Sequence, residues 1–143
     1  MAETILLLVP ELFFQARIET AARRMGMKVL KAADWKGAIE VSKKTPPAGV
    51  VIDLGAPASA GPFKFLQKMK GDKALASMRT LGFLDHVRTD LAEKARKAGC
   101  STVVSKNALS LDTDGYLRRL AGPVVVVVPH RPGKPPAAPA EEE

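Results

Sequence analysis

Residues 50–57 read Val50-Val51-Ile52-Asp53-Leu54-Gly55-Ala56-Pro57. The apolar run Val50 to Ile52 is too short for a helix, and no polar residue alternates with its members. A strand of this kind is apolar on both faces, as in a parallel sheet that helices cover on both sides. Because Asp53 ends the run and a loop-forming Gly and Pro follow, we predict a buried strand with a carboxylate at its carboxyl end.

Four further apolar runs are also too short for helices: Ile5 to Val9, Lys28 to Lys31, Thr80 to Leu84, and Thr102 to Val104. The segments between the runs have helical spacing, as in Phe14, Ile18, Ala21 and Met25, then Leu91, Ala95 and Ala98, then Leu109, Tyr116, Leu117 and Leu120. Strands and helices therefore alternate. We predict an α/β fold with a doubly wound, five-stranded parallel sheet and (βα)5, flavodoxin-like topology.

Turn and cap residues fall where this alternation requires them. Gly26 follows the first helix and Gly99 closes the fourth, as expected for helix C-termini. Asp34 precedes the second helix as a candidate N-cap. Pro46 and Pro47 stand before the third strand. These signals support the same element boundaries as the apolar pattern.

The composition fits one domain followed by a tail. With 143 residues and 46% hydrophobic content the chain can build one ordinary core, which we place at residues 3–121. Residues 122–143 contain the valines Val124 to Val128, six prolines and Glu141 to Glu143, and we expect this tail to be largely disordered. The valine run has high β-propensity, so we expect it to be covered at the sheet edge, by another chain or by the domain.

Several classes of protein find no support in the sequence. Cys100 is the only cysteine and forms no internal disulfide, while His86 and His130 are too scattered for a metal site. The N-terminus lacks the positive charge of a secretory signal, and no apolar run is long enough to span a membrane. We therefore expect a cytoplasmic protein without a metal cluster.

The formal net charge of +7 can attract nucleic acid, an acidic membrane surface or an acidic protein, and the acidic protein requires the fewest further features. The basic residues are spread over several predicted elements, which is typical of a solvated surface and argues against nucleic-acid binding. The aromatic residues at the starts of amphipathic helices are interpreted as core or partly covered surface without a ligand: Phe13, Phe14, Trp35, Phe63 and Phe65.

Polar residues follow the predicted strands at one edge of the sheet. The carboxyl ends of parallel strands surround a crevice in open α/β folds, so residues there are the default functional candidates. Asp53 ends the third strand, Asp85 the fourth and Lys106 the fifth, while Glu11 follows the first. We expect these four side chains to converge.

This arrangement resembles the receiver domain of two-component response regulators over about residues 3–121. The third strand of that family ends in an aspartate followed four residues later by a proline, and its fifth strand ends in a lysine, as with Asp53, Pro57 and Lys106 here. The turn at Ala98 and Gly99 is also similar. The resemblance implies that Asp53 corresponds to the aspartate that accepts a phosphoryl group from a histidine kinase.

Two departures oppose that chemistry. The family's magnesium-binding acidic pair aligns with Val9 and Pro10, which leaves only Glu11 nearby, and its phosphate-contacting hydroxyl residue aligns with Asp85 or, after a one-residue shift, Leu84. Magnesium prefers oxygen ligands, so its site should be severely weakened. Without the ion, a carboxylate and a phosphoryl group would meet as uncompensated anions. We therefore expect no cofactor and doubt that magnesium binds.

The preferred interpretation is a degenerate, stand-alone pseudo-receiver: a non-enzymatic signalling module that binds a protein partner, a histidine kinase or an acidic protein, without phosphoryl transfer. The tail is too short and proline-rich to fold as an output domain. In this interpretation Lys106 neutralises Asp53 and Asp85 in a salt-bridge cluster. Tyr116, in the last helix, is a candidate partner contact.

Two alternatives remain open. In a phosphorylatable single-domain response regulator, Asp53 is the acceptor, Glu11 helps to hold a cation and Lys106 contacts the phosphoryl oxygens. In a flavodoxin-like cofactor protein, the loop after the first strand cradles a phosphate. That loop, Pro10 to Phe13, lacks the Gly, Ser and Thr donors that such a cradle needs, which argues against the second alternative.

Overall fold

The computed structural model describes residues 3–85 and 89–121. Its strands β1 to β5 are Thr4–Leu8, Lys28–Ala32, Gly49–Asp53, Arg79–Leu84 and Thr102–Ser105. Its helices α1 to α6 are Leu12–Arg24, Trp35–Lys44, Pro62–Lys70, Thr89–Lys97, Lys106–Leu111 and Thr113–Ala121. The predicted tail at residues 122–143, its valine run Val124 to Val128, and both histidines lie outside the described residues.

The five strands form one parallel sheet in the order β2-β1-β3-β4-β5, so the predicted fold class is confirmed. The core has two layers, one on each face of the sheet, and successive residues of β1, β3 and β4 pack into opposite layers. In β3, Val50 and Ile52 pack on the side that carries α2, α3 and α4, whereas Val51 packs on the side of α1, α5 and α6. Because helices cover both faces, nearly all residues of β1, β3 and β4 are buried, which explains the apolar runs in the sequence.

The predicted helix ends are present. The Asp34 side chain accepts a hydrogen bond of 2.8 Å from the backbone N–H of Gly37 and caps α2. Gly26 and Gly99 follow α1 and α4 with φ angles of 81° and 105°, which residues with a side chain rarely adopt. Gly26 and Gly99 thus end α1 and α4 before the chain enters β2 and β5.

The last helical segment is divided, although its spacing predicts a single helix. Helix α5 ends at Leu111 and α6 begins at Thr113, with Asp112 between them at φ −143° and ψ 52°. The Asp112 carboxylate accepts a hydrogen bond of 3.2 Å from the backbone N–H of Gly115. A short polar side chain that binds the backbone locally competes with helix continuation, and this accounts for the break.

The start of β1 and the end of α6 both lie beside the start of β3, at the amino edge of the sheet. The backbone N–H of Ala48 donates to the carbonyl of Thr4 over 2.8 Å, and the backbone of Gly49 lies directly against Leu120. The carboxyl ends of the strands therefore lie at the other edge. In the described ranges, no helix has the length and apolarity needed to cross a membrane.

Candidate functional site

The carboxyl edge of the sheet brings the four predicted site residues to neighbouring positions. Asp53 is the last residue of β3, Asp85 follows β4, and Lys106 begins α5 directly after β5. Glu11 precedes α1, which follows β1. Because β1, β3, β4 and β5 are adjacent in the sheet, these residues surround one surface depression.

Glu11 is the N-cap of α1. One carboxylate oxygen, Oε2, accepts a hydrogen bond of 2.6 Å from the backbone N–H of Phe13, and the other, Oε1, accepts one of 3.2 Å from Phe14. The first turn of a helix exposes unpaired N–H groups, and a carboxylate satisfies them and favours the positive end of the helix dipole. Glu11 therefore supports the start of α1.

Lys106 lies between two carboxylates and an aromatic ring. Its Nζ is 3.8 Å from Glu11 Oε1 and 3.8 Å from Asp85 Oδ1, and 4.9 Å from the centroid of the Phe14 ring. The predicted ion pair with Asp85 is present. The described ion pairs of Lys106 include Glu11 and not Asp53, but the charge of Lys106 still acts on Asp53 and lowers the pKa of its carboxyl. The capping role of Glu11 holds its carboxylate beside Lys106.

Asp53 is half-buried, and its Oδ1 accepts a hydrogen bond of 3.0 Å from the backbone N–H of Gly55. Burial raises the pKa of the Asp53 carboxyl, the hydrogen bond from Gly55 opposes this, and the charge of Asp85 raises the pKa further. The negative form of Asp53 is thus poorly stabilised in its surroundings.

The residues at this edge do not fit a magnesium ion. Val9 and Pro10 stand where carboxylates would be needed, and the side chain of Val9 is fully buried. Both oxygens of Glu11 are already engaged by α1. Within residues 3–85 and 89–121, no three His, Cys, Asp or Glu side chains are grouped to hold a metal ion. Magnesium prefers several oxygen ligands that converge on one point, and the carboxylates of Glu11, Asp53 and Asp85 are not grouped in that way.

Pro57 and Tyr116 are placed differently from the four central residues. Pro57 is exposed in the loop after Asp53, and its carbonyl accepts a hydrogen bond of 2.9 Å from Ala60. Tyr116 lies on α6 and lines a cavity of about 100 Å³ beside Arg79 and Thr102, the first residues of β4 and β5. Tyr116 is therefore at the amino edge, away from Asp53.

Sequence reasoning missed the contribution of Phe14. It was interpreted as a core residue, and it is 5% exposed, but its ring also supports the ammonium group of Lys106. The signal was its position three residues after Glu11, which places the ring in the first turn of α1. A lysine stem that lies along an apolar ring keeps its charge at the surface.

Comparison with known proteins identifies the fold. The sequence matches no protein-family model and no curated protein. Among solved structures, the receiver domain of a histidine kinase from Syntrophus aciditrophicus has a TM-score of 0.74 at 14% identity, and the match covers 93% of this chain and 100% of that one.

Two further solved structures have a similar fold. The receiver domain of a sensor histidine kinase from Pseudomonas aeruginosa, with magnesium in its active-site cleft, has a TM-score of 0.74 at 18% identity, covering 85% of this chain and 99% of that one. A chemotaxis response regulator of Vibrio cholerae has a TM-score of 0.71 at 16% identity, covering 84% and 99%. At these identities the likeness concerns architecture alone. The chain therefore has the fold of the response-regulator receiver domains.

Proposed function

We propose that this protein is a receiver-like signalling module of the pseudo-receiver type, which binds a protein partner and neither accepts nor transfers a phosphoryl group. The observation that carries the proposal is the charge at the carboxyl edge. Among the described residues of this edge, the three carboxylates of Glu11, Asp53 and Asp85 lie around the ammonium group of Lys106. A phosphoryl donor, itself an anion, would approach a site of net negative charge.

The existing ion pairs of Lys106 also oppose phosphoryl binding. Its ammonium group already lies between Glu11 and Asp85, so contact with a phosphoryl oxygen would disrupt these two ion pairs. Phosphoryl transfer depends on cations that neutralise charge at the transferred group. Within the part of this edge that the structure describes, the one cation beside these carboxylates is Lys106, and no group of ligands fits magnesium. We therefore assign the domain no catalytic activity and no magnesium cofactor.

A protein partner follows from the same proposal. Two of the structures with this fold are receiver domains of histidine kinases, which supports a partner within a phosphorelay. The net charge of +7 favours an acidic protein and would speed its association. We propose a histidine kinase or an acidic protein as the class of partner.

The decisive experiment is a backbone-amide NMR titration of the full chain with magnesium and beryllofluoride, a mimic of a bound phosphoryl group. Asp53→Asn is the matched control, because asparagine can still accept the hydrogen bond from Gly55 but lacks the negative charge. We expect a well-dispersed spectrum, in which the signals around Asp53, Asp85 and Lys106 do not shift when magnesium and beryllofluoride are added.

The second candidate function is a phosphorylatable receiver with Asp53 as acceptor. The observation in its favour is that Asp53 ends β3 in a half-buried position, on the same edge as Lys106. Saturable shifts around Asp53 that are lost in Asp53→Asn would establish this function and overturn the first proposal.

A further inference from the structure

Three lysines surround the only tryptophan of the chain. The Nζ atoms of Lys36, Lys64 and Lys68 lie 5.8, 5.8 and 6.0 Å from the centroid of the Trp35 ring. All three lysines are exposed and Trp35 is half-buried. Each distance falls within the range of a cation–π contact, but the three like charges also repel one another.

The backbone explains why these residues meet. Trp35 begins α2, and its N–H donates to the carbonyl of Ala60 over 2.8 Å. Gly61, directly before α3, lies so close to the indole that a Cβ atom there would clash with it. The first turns of α2 and α3 are thereby held side by side. Basic residues that are scattered in the sequence thereby lie together on one exposed surface.

The same surface continues into a groove between α3 and α4. The groove has a volume of about 660 Å³ and is lined by Phe63 and Ala98, with Lys64, Lys70 and Lys94 along it. The Nζ of Lys94 lies 4.5 Å from the centroid of the Phe63 ring. None of the lysines of this surface forms an ion pair with a described residue. We define the cationic face by Trp35, Phe63 and the lysines Lys36, Lys64, Lys68 and Lys94.

The chain itself carries a segment of complementary chemistry. Glu141, Glu142 and Glu143 are the only adjacent acidic residues in the sequence, and small apolar residues, Ala137 to Ala140, precede them. The lysines around Trp35 can form ion pairs with the three glutamates. The apolar part of the groove can accept the side chains of alanine and proline. An isolated nucleic-acid strand would instead need an open aromatic surface for base stacking, whereas lysines surround Trp35.

The connection is long enough. Residues 122–140 separate the end of α6 from Glu141, and they reach about 60 Å when extended. A domain of this size has a radius of gyration of roughly 13 Å, so the segment can reach any part of its surface. We propose that residues 137–143 bind to the cationic face of their own chain. Attachment to the same chain gives the segment an effective concentration in the millimolar range, which compensates for weak individual contacts.

The test uses the full chain labelled with 15N, and Trp35 as the reporter. Removing the three charges with the triple substitution Glu141→Gln, Glu142→Gln and Glu143→Gln should shift the indole N–H signal of Trp35 and the amide signals of Lys36, Lys64 and Lys68. High salt should move the same signals of the unsubstituted protein in the same direction, because exposed ion pairs are screened. Signals around Asp53 should stay in place.

A synthetic peptide with the sequence of residues 137–143, added to the triple variant, should move these signals back. A peptide with glutamine at the three acidic positions should bind about fivefold more weakly. As a matched control for the face, Lys36→Gln, Lys64→Gln and Lys68→Gln together should weaken peptide binding by a similar factor, while the equally neutralising set Lys28→Gln, Lys44→Gln and Lys73→Gln should leave it unchanged.

Two results would overturn the proposal. The first is that the Trp35 and lysine signals do not respond when the glutamates are neutralised. The second is that they respond only as protein concentration rises, because the occupant would then be the segment of a second copy.

Discussion

The ammonium group of Lys106 lies 4.9 Å from the centroid of the Phe14 ring. Phe14 in turn packs against Phe83 of β4, with ring centroids 4.9 Å apart and planes inclined by 58°. Lys106 is thus positioned by the core through Phe14, and its charge reaches Glu11 and Asp85 at the surface. This arrangement separates the packing role of the lysine from its electrostatic role, and each can be tested.

Replacement of Lys106 by methionine should lower the free energy of unfolding by less than about 1 kcal/mol. Methionine keeps an apolar stem against Phe14 and loses the ammonium–ring contact and two exposed ion pairs, whose acidic side chains are 46% and 79% exposed. Lys106→Ala should be more destabilising, since it also loses the stem. Urea unfolding of both variants checks this. A loss of several kcal/mol in the methionine variant would show that the pairs are far stronger than their exposure indicates.

Replacement of Glu11 by alanine should cost about 1 kcal/mol of stability, because two backbone N–H groups at the start of α1 lose their acceptor. Glu11→Gln keeps a carbonyl oxygen and should cost clearly less. The measurement is thermal or urea unfolding, with hydrogen exchange at Phe13 and Phe14 as a local readout. Equal costs for the two variants would assign the effect to charge instead of capping.

Asp53→Asn should stabilise the protein at pH 7. Burial raises the pKa of Asp53 above its ordinary value of 3.8, so the folded state holds this proton more strongly than the unfolded state. Stability due to this group is therefore present below pH 3.8 and is lost as the pH rises through the folded-state pKa.

The gain from Asp53→Asn should accordingly shrink toward zero as the pH is lowered to 3.8. Urea unfolding of both proteins across this range measures the difference. Their comparison also removes the contribution of Glu19, whose pKa is lowered by its hydrogen bonds from Lys31 and Arg23 and which therefore acts in the opposite direction. A gain that is independent of pH would contradict the assignment to Asp53 ionisation.

Gly49→Ala should lower the free energy of unfolding by about 1 to 3 kcal/mol, because the added methyl group would overlap the side chain of Leu120 and force α6 away from β3. Gly71→Ala is the matched control. Its Cβ would lie 3.7 Å from the nearest atom, an ordinary contact, and the backbone φ is −81°. The control should change stability by less than about 0.5 kcal/mol. Similar values for both variants would argue against close packing at Gly49.

The fold was predictable because its signals are local. Apolar runs such as Val50 to Ile52 indicate strands that are buried on both faces of the sheet. Asp34 and Gly99 are residue types that favour the start and the end of a helix. The division of the last helix was missed, since the apolar spacing of Leu109 and Leu117 continues across Asp112. A hydrogen bond between Asp112 and Gly115 overrides that spacing.

The site was predictable only in outline. Parallel strands must bring Asp53, Asp85 and Lys106 to one edge, but the choice of ion-pair partners depends on where the first turn of α1 holds Glu11. The lysines around Trp35 were not recognised as a group, because their meeting depends on tertiary contacts between α2 and the start of α3. Side-chain neighbours of this kind are properties of packing and leave no periodic pattern in the sequence.

Thr4 contacts Ala48, and Leu120 contacts Gly49. The start of β1 and the end of α6 therefore lie at the same edge of the sheet. A unit with this geometry can be inserted into an exposed loop of a host protein, because the two splice points need to bridge only a short gap. The opposite edge, with Glu11, Asp53 and Lys106, would remain open to solvent. Such an insertion would therefore leave the exposure of these site residues unchanged.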